Sequence, residues 1–308
     1  MSEPIVSIDK FRMKFGENVV IDDLSFDVRS GETFAFLGSN GSGKTTTIRT
    51  LLGIFEPTVG TLLVKGQKYG PQLSSILGYL PEERGLYKKE SVLSTMLYFG
   101  ELRRMDRLVA RKWSLDYLER IGLADKANVA IEKLSGGQQQ KIQLGVTIMN
   151  DPELMILDEP TKGFDPVNRR LLMDIVEEHS KRGATVVLVT HQMEEVERLC
   201  DRVILLKDGK RRLYGTVDEI KHDYGSEVID LEFTGVLPEH SKRYRVEQSG
   251  KRNAELSMVG AATAPEVLAE LVSHKSLAIT KFELRRSSLD DIFVNIYHET
   301  AAIGGGHE

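Results

Sequence analysis

The chain has 308 residues, 41% hydrophobic and 28% charged, which suits one large domain plus a smaller one and excludes a disordered or membrane-embedded chain. A net charge of −5 argues against a general nucleic-acid binder, which needs a basic face. Cys200 is the only cysteine, so no intrachain disulfide holds the fold and a reducing cytoplasm fits, while the polar start Met1-Ser-Glu-Pro4 lacks the layout of a signal peptide. Nowhere do about 18 uncharged apolar residues run together, so no bilayer-spanning helix is expected.

The first half alternates strand-like and helix-like stretches, the pattern of an α/β fold. Thr33 to Leu37 is a short apolar run, followed by a glycine-rich turn and a predicted helix from about Lys44 to Leu52, stopped by Gly53 and Pro57. Leu77–Leu80, Leu154–Leu157 and Thr185–Thr190 read as further buried strands. Between them lies an inserted helical subdomain, about 85–150, in which Leu93, Met96, Leu97, Leu115, Leu118 and Ile121 recur at helical spacing. Asp208-Gly209 predicts a hairpin between Val203–Leu206 and Arg212–Tyr214.

Around Tyr224-Gly225 the register breaks, which divides the chain into a domain of residues 1–222 and a small α+β domain of 225–300. Val228–Phe233, Tyr244–Val246, Ala254–Met258 and Ala278–Leu284 predict its strands, and Pro265–Val272 and Leu289–Tyr297 its helices. Ser287 and Ser288 each have an Asp three residues on, a capping-box arrangement for the last helix. Residues 301–308, with Gly304 to Gly306, are expected to be a disordered tail.

Gly38, Ser39, Asn40, Gly41, Ser42, Gly43, Lys44 and Thr45 match G-x-x-x-x-G-K-[ST], the phosphate loop known as Walker A. Its glycines let backbone N–H groups turn toward phosphate oxygens, and the following helix, with Thr46 in its first turn, adds its positive end. Lys44 would reach the β- and γ-phosphates, and the Thr45 hydroxyl would bind Mg²⁺. Leu154 to Glu159 is an apolar strand ending in two acids. Asp158 would hold Mg²⁺ through water, and Glu159 is placed to polarise the attacking water. Leu134-Ser-Gly-Gly-Gln138 opens another helix and supplies a second phosphate site about 90 residues from the first.

With Leu-Ser-Gly-Gly-Gln lying between the two acid- and phosphate-binding motifs, residues 4 to about 220 resemble the ABC ATPases. The resemblance implies a P-loop NTPase of the ABC type that binds ATP and Mg²⁺ and hydrolyses ATP. It implies a homodimer, or a pair with a sister ATPase subunit. Each ATP would lie between one P-loop and Ser135, Gly136, Gly137 and Gln138 of the other chain. It also implies integral membrane permease subunits, no nucleic-acid partner, and a place on the cytoplasmic face of the membrane. Phe15 sits where the family stacks an aromatic ring on adenine, or is an ordinary strand residue. Asp165 matches the family's D-loop, although with Pro166 it is equally a helix cap. His191 matches the switch histidine that contacts the γ-phosphate. Glu82 stands where the family has Gln, and as a carboxylate it can ligate Mg²⁺ while adding negative charge. These surroundings resemble ABC-2 exporters. A non-transport ABC ATPase of ribosomes or nucleic acid is the alternative, and one cassette without a heptad run weighs against it. The C-terminal module is expected either to stabilise or regulate the dimer or to be a passive appendage.

Overall fold

In the computed structural model, which describes residues 4–83, 85–238 and 241–303, the chain opens on a long antiparallel pair, β1 (Pro4–Phe15) and β2 (Asn18–Arg29). The next elements are β3 (Thr33–Gly38), helix α1 (Lys44–Leu51), β4 (Val59–Val64) and β5 (Leu77–Leu80). Three helices follow, α2 (Val92–Leu102), α3 (Arg107–Arg120) and α4 (Gly136–Ile148). The chain then returns as β6 (Leu154–Asp158), α5 (Pro166–Lys181), β7 (Thr185–Val189), α6 (Met193–Leu199), β8 (Arg202–Lys207) and β9 (Lys210–Thr216).

Strands β2-β1-β4 form an antiparallel sheet, and a second sheet runs in the order β5-β6-β7-β3-β8-β9, parallel except for β9. The parallel strands are apolar at nearly every position because both of their faces are covered. Phe34, Phe36, Ile156 and Val189 point to one core, shared with β1, β2 and α1. Met155, Leu157, Val186 and Leu188 point to the other, built with the helices. Phe26 and Phe34 stack with centroids 5.5 Å apart and planes 3° from parallel. The β8–β9 turn has Asp208 at φ 52° and Gly209 at φ 70°, the left-handed pair that a two-residue hairpin requires.

The chain divides into two compact units between Val217 and Asp218, at the start of helix α7 (Val217–Asp223). The register break at Tyr224-Gly225 is the end of that helix, with Tyr224 N–H still bonded to the Ile220 carbonyl. The second unit is an antiparallel sheet ordered β11-β12-β10-β13, made from β10 (Glu227–Gly235), β11 (Tyr244–Ser249), β12 (Asn253–Met258) and β13 (Leu277–Arg286). Helices α8 (Ala264–Ser273) and α9 (Leu289–Ile303) complete it. One sheet face buries Ile229, Leu231, Phe233 and Leu256 against Val267 and Leu271 of α8. On β13, Arg285 joins Asp230, Glu255 and Asp291.

Several local expectations change. Leu115 is 38% exposed, on the outer side of α3, while Leu118 and Ile121 carry the buried stripe. Only Ser288 makes the capping box: its N–H donates to Asp291 Oδ2 at 2.7 Å, and its Oγ accepts from Asp291 N–H at 3.2 Å. Ser287 is buried instead and bonds Ser226. α9 continues past Tyr297 to Ile303, because nothing before Gly304 breaks it and alanines favour the helix. Gly304 to Gly306, expected as part of a disordered tail, lie outside the described residues, as do residues 1–3.

Candidate functional site

Parallel strands bring their carboxyl ends to one edge, where the following loops build ligand sites. Here β3, β6, β7 and β5 deliver, in turn, the glycine loop, Asp158-Glu159, Thr190-His191 and Pro81-Glu82. Asp158 is paired with Val189 in the β6–β7 register, so Glu159 and His191 emerge side by side. The resulting cleft, about 900 Å³, is lined by Gly38 to Gly41, Gly43 to Thr46, Glu82, Asp158, Glu159, Lys162 and His191.

Two glycines of the loop leave no room for a larger residue. Gly43 caps α1 at φ 104°, and a Cβ there would lie 2.2 Å from Ile21 Cδ1. A Cβ on Gly38 would lie 2.5 Å from the Leu206 carbonyl oxygen. Lys44 Nζ donates to the carbonyls of Gly38 at 2.7 Å and Ser39 at 3.1 Å, which holds the ammonium at the loop's mouth. Burial lowers the Lys44 pKa, and Glu159, Asp158 and Glu82 pull it back up.

Asp158 is only 2% exposed, and burial, reinforced by Glu82 and Glu159, pushes its pKa up to about 6. Its Oδ2 is buried without a hydrogen-bond partner, and so is Ser42 Oγ in the glycine loop. Unpartnered buried oxygens are rare in native proteins and call for an explanation. A hard cation takes such an oxygen donor, and Mg²⁺ uses one or two carboxylates plus phosphates rather than a protein cage. The donor set fits Mg²⁺ on that ground, and among the described residues there is no cluster of three or more His, Cys, Asp or Glu that would form such a cage.

Glu159 has φ 50°, a left-handed conformation that is strained for a residue with a side chain. Its N–H bonds the Val189 carbonyl at 2.8 Å, and its own carbonyl accepts from Gln140 Nε2 at 3.1 Å. Its carboxylate Oε1 lies 2.8 Å from His191 Nδ1.

Glu82 is held by Lys162, whose Nζ donates to Oε1 at 2.6 Å and whose pKa is raised by that bond. Gln143 of α4 donates to the Glu83 carbonyl at 3.1 Å and so tethers the loop behind Glu82. Thr45 and Thr46 lie in the first turn of α1. Ser135, Gly136, Gly137 and Gln138 lie elsewhere: Ser135 caps α4, and Ser135 and Gln138 bond each other's backbone in a capping box. Asp165 caps α5, accepting from the N–H groups of Val167 and Asn168 at 3.0 Å, bonds that lower its pKa. Phe15 ends β1, 45% exposed and edge-on to Phe55 at 5.5 Å.

Lys162, Gln140 and Gln143 escape the sequence reading. An unexpected Glu82 asks for a counter-charge, but nothing in the sequence says that residue 162 supplies it.

Against known proteins, the ABC transporter family model matches residues 21–162, and the ATP-binding protein DrrA1-3-like C-terminal domain matches 215–297. The uncharacterized ABC transporter ATP-binding protein YhaQ of Bacillus subtilis is 36% identical over 94% of this chain and 97% of its own length. The Nod factor export ATP-binding protein I of Ralstonia nicotianae is 36% identical over 75% of this chain and 73% of its own. A solved ATP-binding subunit of an ABC transporter superposes with TM-score 0.68 at 26% identity, covering 71% of this chain and 93% of that one. ATP-binding subunits of this kind dimerise and pair with membrane permease subunits. On this likeness, which extends over nearly the whole chain, the protein belongs to the ABC transporter ATP-binding proteins and is an ATP hydrolase with a DrrA-like C-terminal domain.

Proposed function

We propose that this chain drives export through separate membrane permease subunits, as one half of an ATPase dimer on the cytoplasmic face of the membrane. The relative named for Nod factor export supports the direction. The absence, among the described residues, of a helix long and apolar enough to cross a membrane agrees with separate permeases.

The observation that carries the catalytic reading is the 2.8 Å contact of Glu159 with His191 in the cleft that also holds Lys44. In this reading Glu159 accepts a proton from the attacking water, and His191 holds Glu159 and reaches the γ-phosphate. Lys44 and the glycine-loop N–H groups grip the phosphates. Thr45, Asp158 and Glu82 are the residues that would hold Mg²⁺, which when bound neutralises charge on the β- and γ-phosphates. Phe15 stacks on adenine, Asp165 belongs to the dimer interface, and Ser135 to Gln138 complete the site of the partner subunit.

Glu159→Gln tests the reading. It should keep ATP binding, cut hydrolysis by about a hundredfold and accumulate an ATP-bound dimer visible in sedimentation. Hydrolysis at the wild-type rate would remove Glu159 from the role.

A further inference from the structure

Glu195 is a carboxylate with no part in the chemistry described so far, yet it is 3% exposed. It sits in the first turn of α6, and each of its oxygens is engaged. Thr161 Oγ1 donates to Oε1, and Thr190 Oγ1 donates to Oε2 at 3.3 Å. Arg169 Nε, which has no hydrogen-bond partner, lies 4.0 Å from Oε1. Both threonines are themselves buried. Burial pushes the Glu195 carboxyl up, and the two hydroxyls and Arg169 draw it back down.

The two threonines flank the reacting pair. Thr161 is two residues beyond Glu159, and Thr190 immediately precedes His191. Thr190 Oγ1 also accepts from the Gln192 N–H at 3.0 Å, which fixes the turn on the far side of His191. Glu159 needs such support, because a left-handed backbone at a residue with a side chain persists only where its surroundings over-determine it. Burying a carboxylate is costly unless it is bonded on both oxygens. A glutamine would offer one acceptor instead of two, so one hydroxyl would have to turn.

We propose that Glu195 is a positioning residue for hydrolysis, a buried clamp that ties Thr161 to Thr190 and thereby holds Glu159 against His191. This rests on the reading of Glu159 as the residue that activates water.

The test uses the full chain and measures ATP affinity, turnover and melting temperature for Glu195→Gln, Glu159→Gln and the double variant. Glu195→Gln should lower kcat about tenfold with ATP affinity within about threefold, and should add almost nothing in the Glu159→Gln background. A folded Glu195→Gln protein with wild-type kcat would overturn the clamp alone. So would the same fold-loss in both backgrounds, or kcat and affinity falling in parallel as for a general loosening. Glu159→Gln turning over at the wild-type rate would overturn the reading of Glu159 and the clamp with it. Should Glu195→Gln not fold, Thr161→Val removes one donor to the carboxylate at nearly constant volume. A several-fold fall in its kcat at unchanged affinity supports the clamp, and wild-type kcat overturns it.

Discussion

Helices α1 and α4 both begin beside glycines, yet their first turns are satisfied in opposite ways. α1 follows Gly43 in a left-handed conformation, and no side chain caps it. Its first N–H groups have no partner within the helix and remain for whatever the loop binds. α4 starts at Ser135, where the serine and Gln138 cap each other's backbone. An anion reaching α4 must displace a cap worth about 1 kcal/mol. Hydrogen bonds to a charged group are worth about 1.5–3 kcal/mol each, so a phosphate would win that competition once presented. Under the proposed reading the lone chain carries one open phosphate site and one latent site. Ser135 to Gln138 are absent from the cleft lining, so under that reading this second site meets a nucleotide carried by another chain.

Lys44→Ala strikes the open site and should have the largest effect, lowering hydrolysis by about a hundredfold or more. Ser135→Ala, which removes the cap at the latent site, should cost about 1 kcal/mol of stability and far less activity. Steady-state rates and melting curves of the two variants check the contrast, and equal losses would erase it.

Asp158 sharpens the description of the open site through pH. Its pKa of about 6 in the folded chain lies above the ordinary aspartate value of 3.8, so between those values the native state binds the extra proton. Stability of the nucleotide-free protein therefore falls as pH rises from 4 to 6, and the loss remains at pH 7. Asp158→Asn should raise stability at pH 7 by on the order of 1–3 kcal/mol and flatten that slope while lowering hydrolysis. Melting temperatures from pH 4.5 to 7.5 measure it. A less stable Asp158→Asn protein at pH 7 would mean that the carboxylate is not strained by its burial.

The smallest effect concerns Glu82 and Lys162, an exposed pair whose coupling is weak by nature. Glu82→Gln should shift the Mg²⁺ dependence of hydrolysis by a few-fold, and Lys162→Ala should matter less in that background. A Mg²⁺ titration of the four proteins decides it, and an unchanged curve for Glu82→Gln would place Glu82 outside the metal's shell.

The parts of the site that can be read from sequence are contiguous. Gly38 to Thr45 is a single loop whose glycines answer to close contacts at Gly38 and Gly43 and to a positive φ at Gly41, and Asp158-Glu159 ends an apolar strand whose burial on both faces is plain from its composition. The contacts of Lys162 with Glu82 and of Glu195 with Thr161 depend on the sheet order β5-β6-β7, which sets the ends of distant strands side by side. No local pattern encodes that order. Ser287 and Ser288 show the same limit in miniature, because the sequence offers both as caps and the bond of Ser287 to Ser226 assigns it elsewhere.

The shared site is tested most directly by mixing two inactive proteins, Lys44→Ala and Ser135→Arg. An isologous dimer places one intact site and one doubly damaged site in every mixed pair, so equal mixing should restore about a quarter of wild-type turnover. Restoration that peaks near equal mixing is the predicted result. Turnover that never exceeds that of either variant alone, at any ratio, would contradict the claim that the latent site of one chain completes the open site of another.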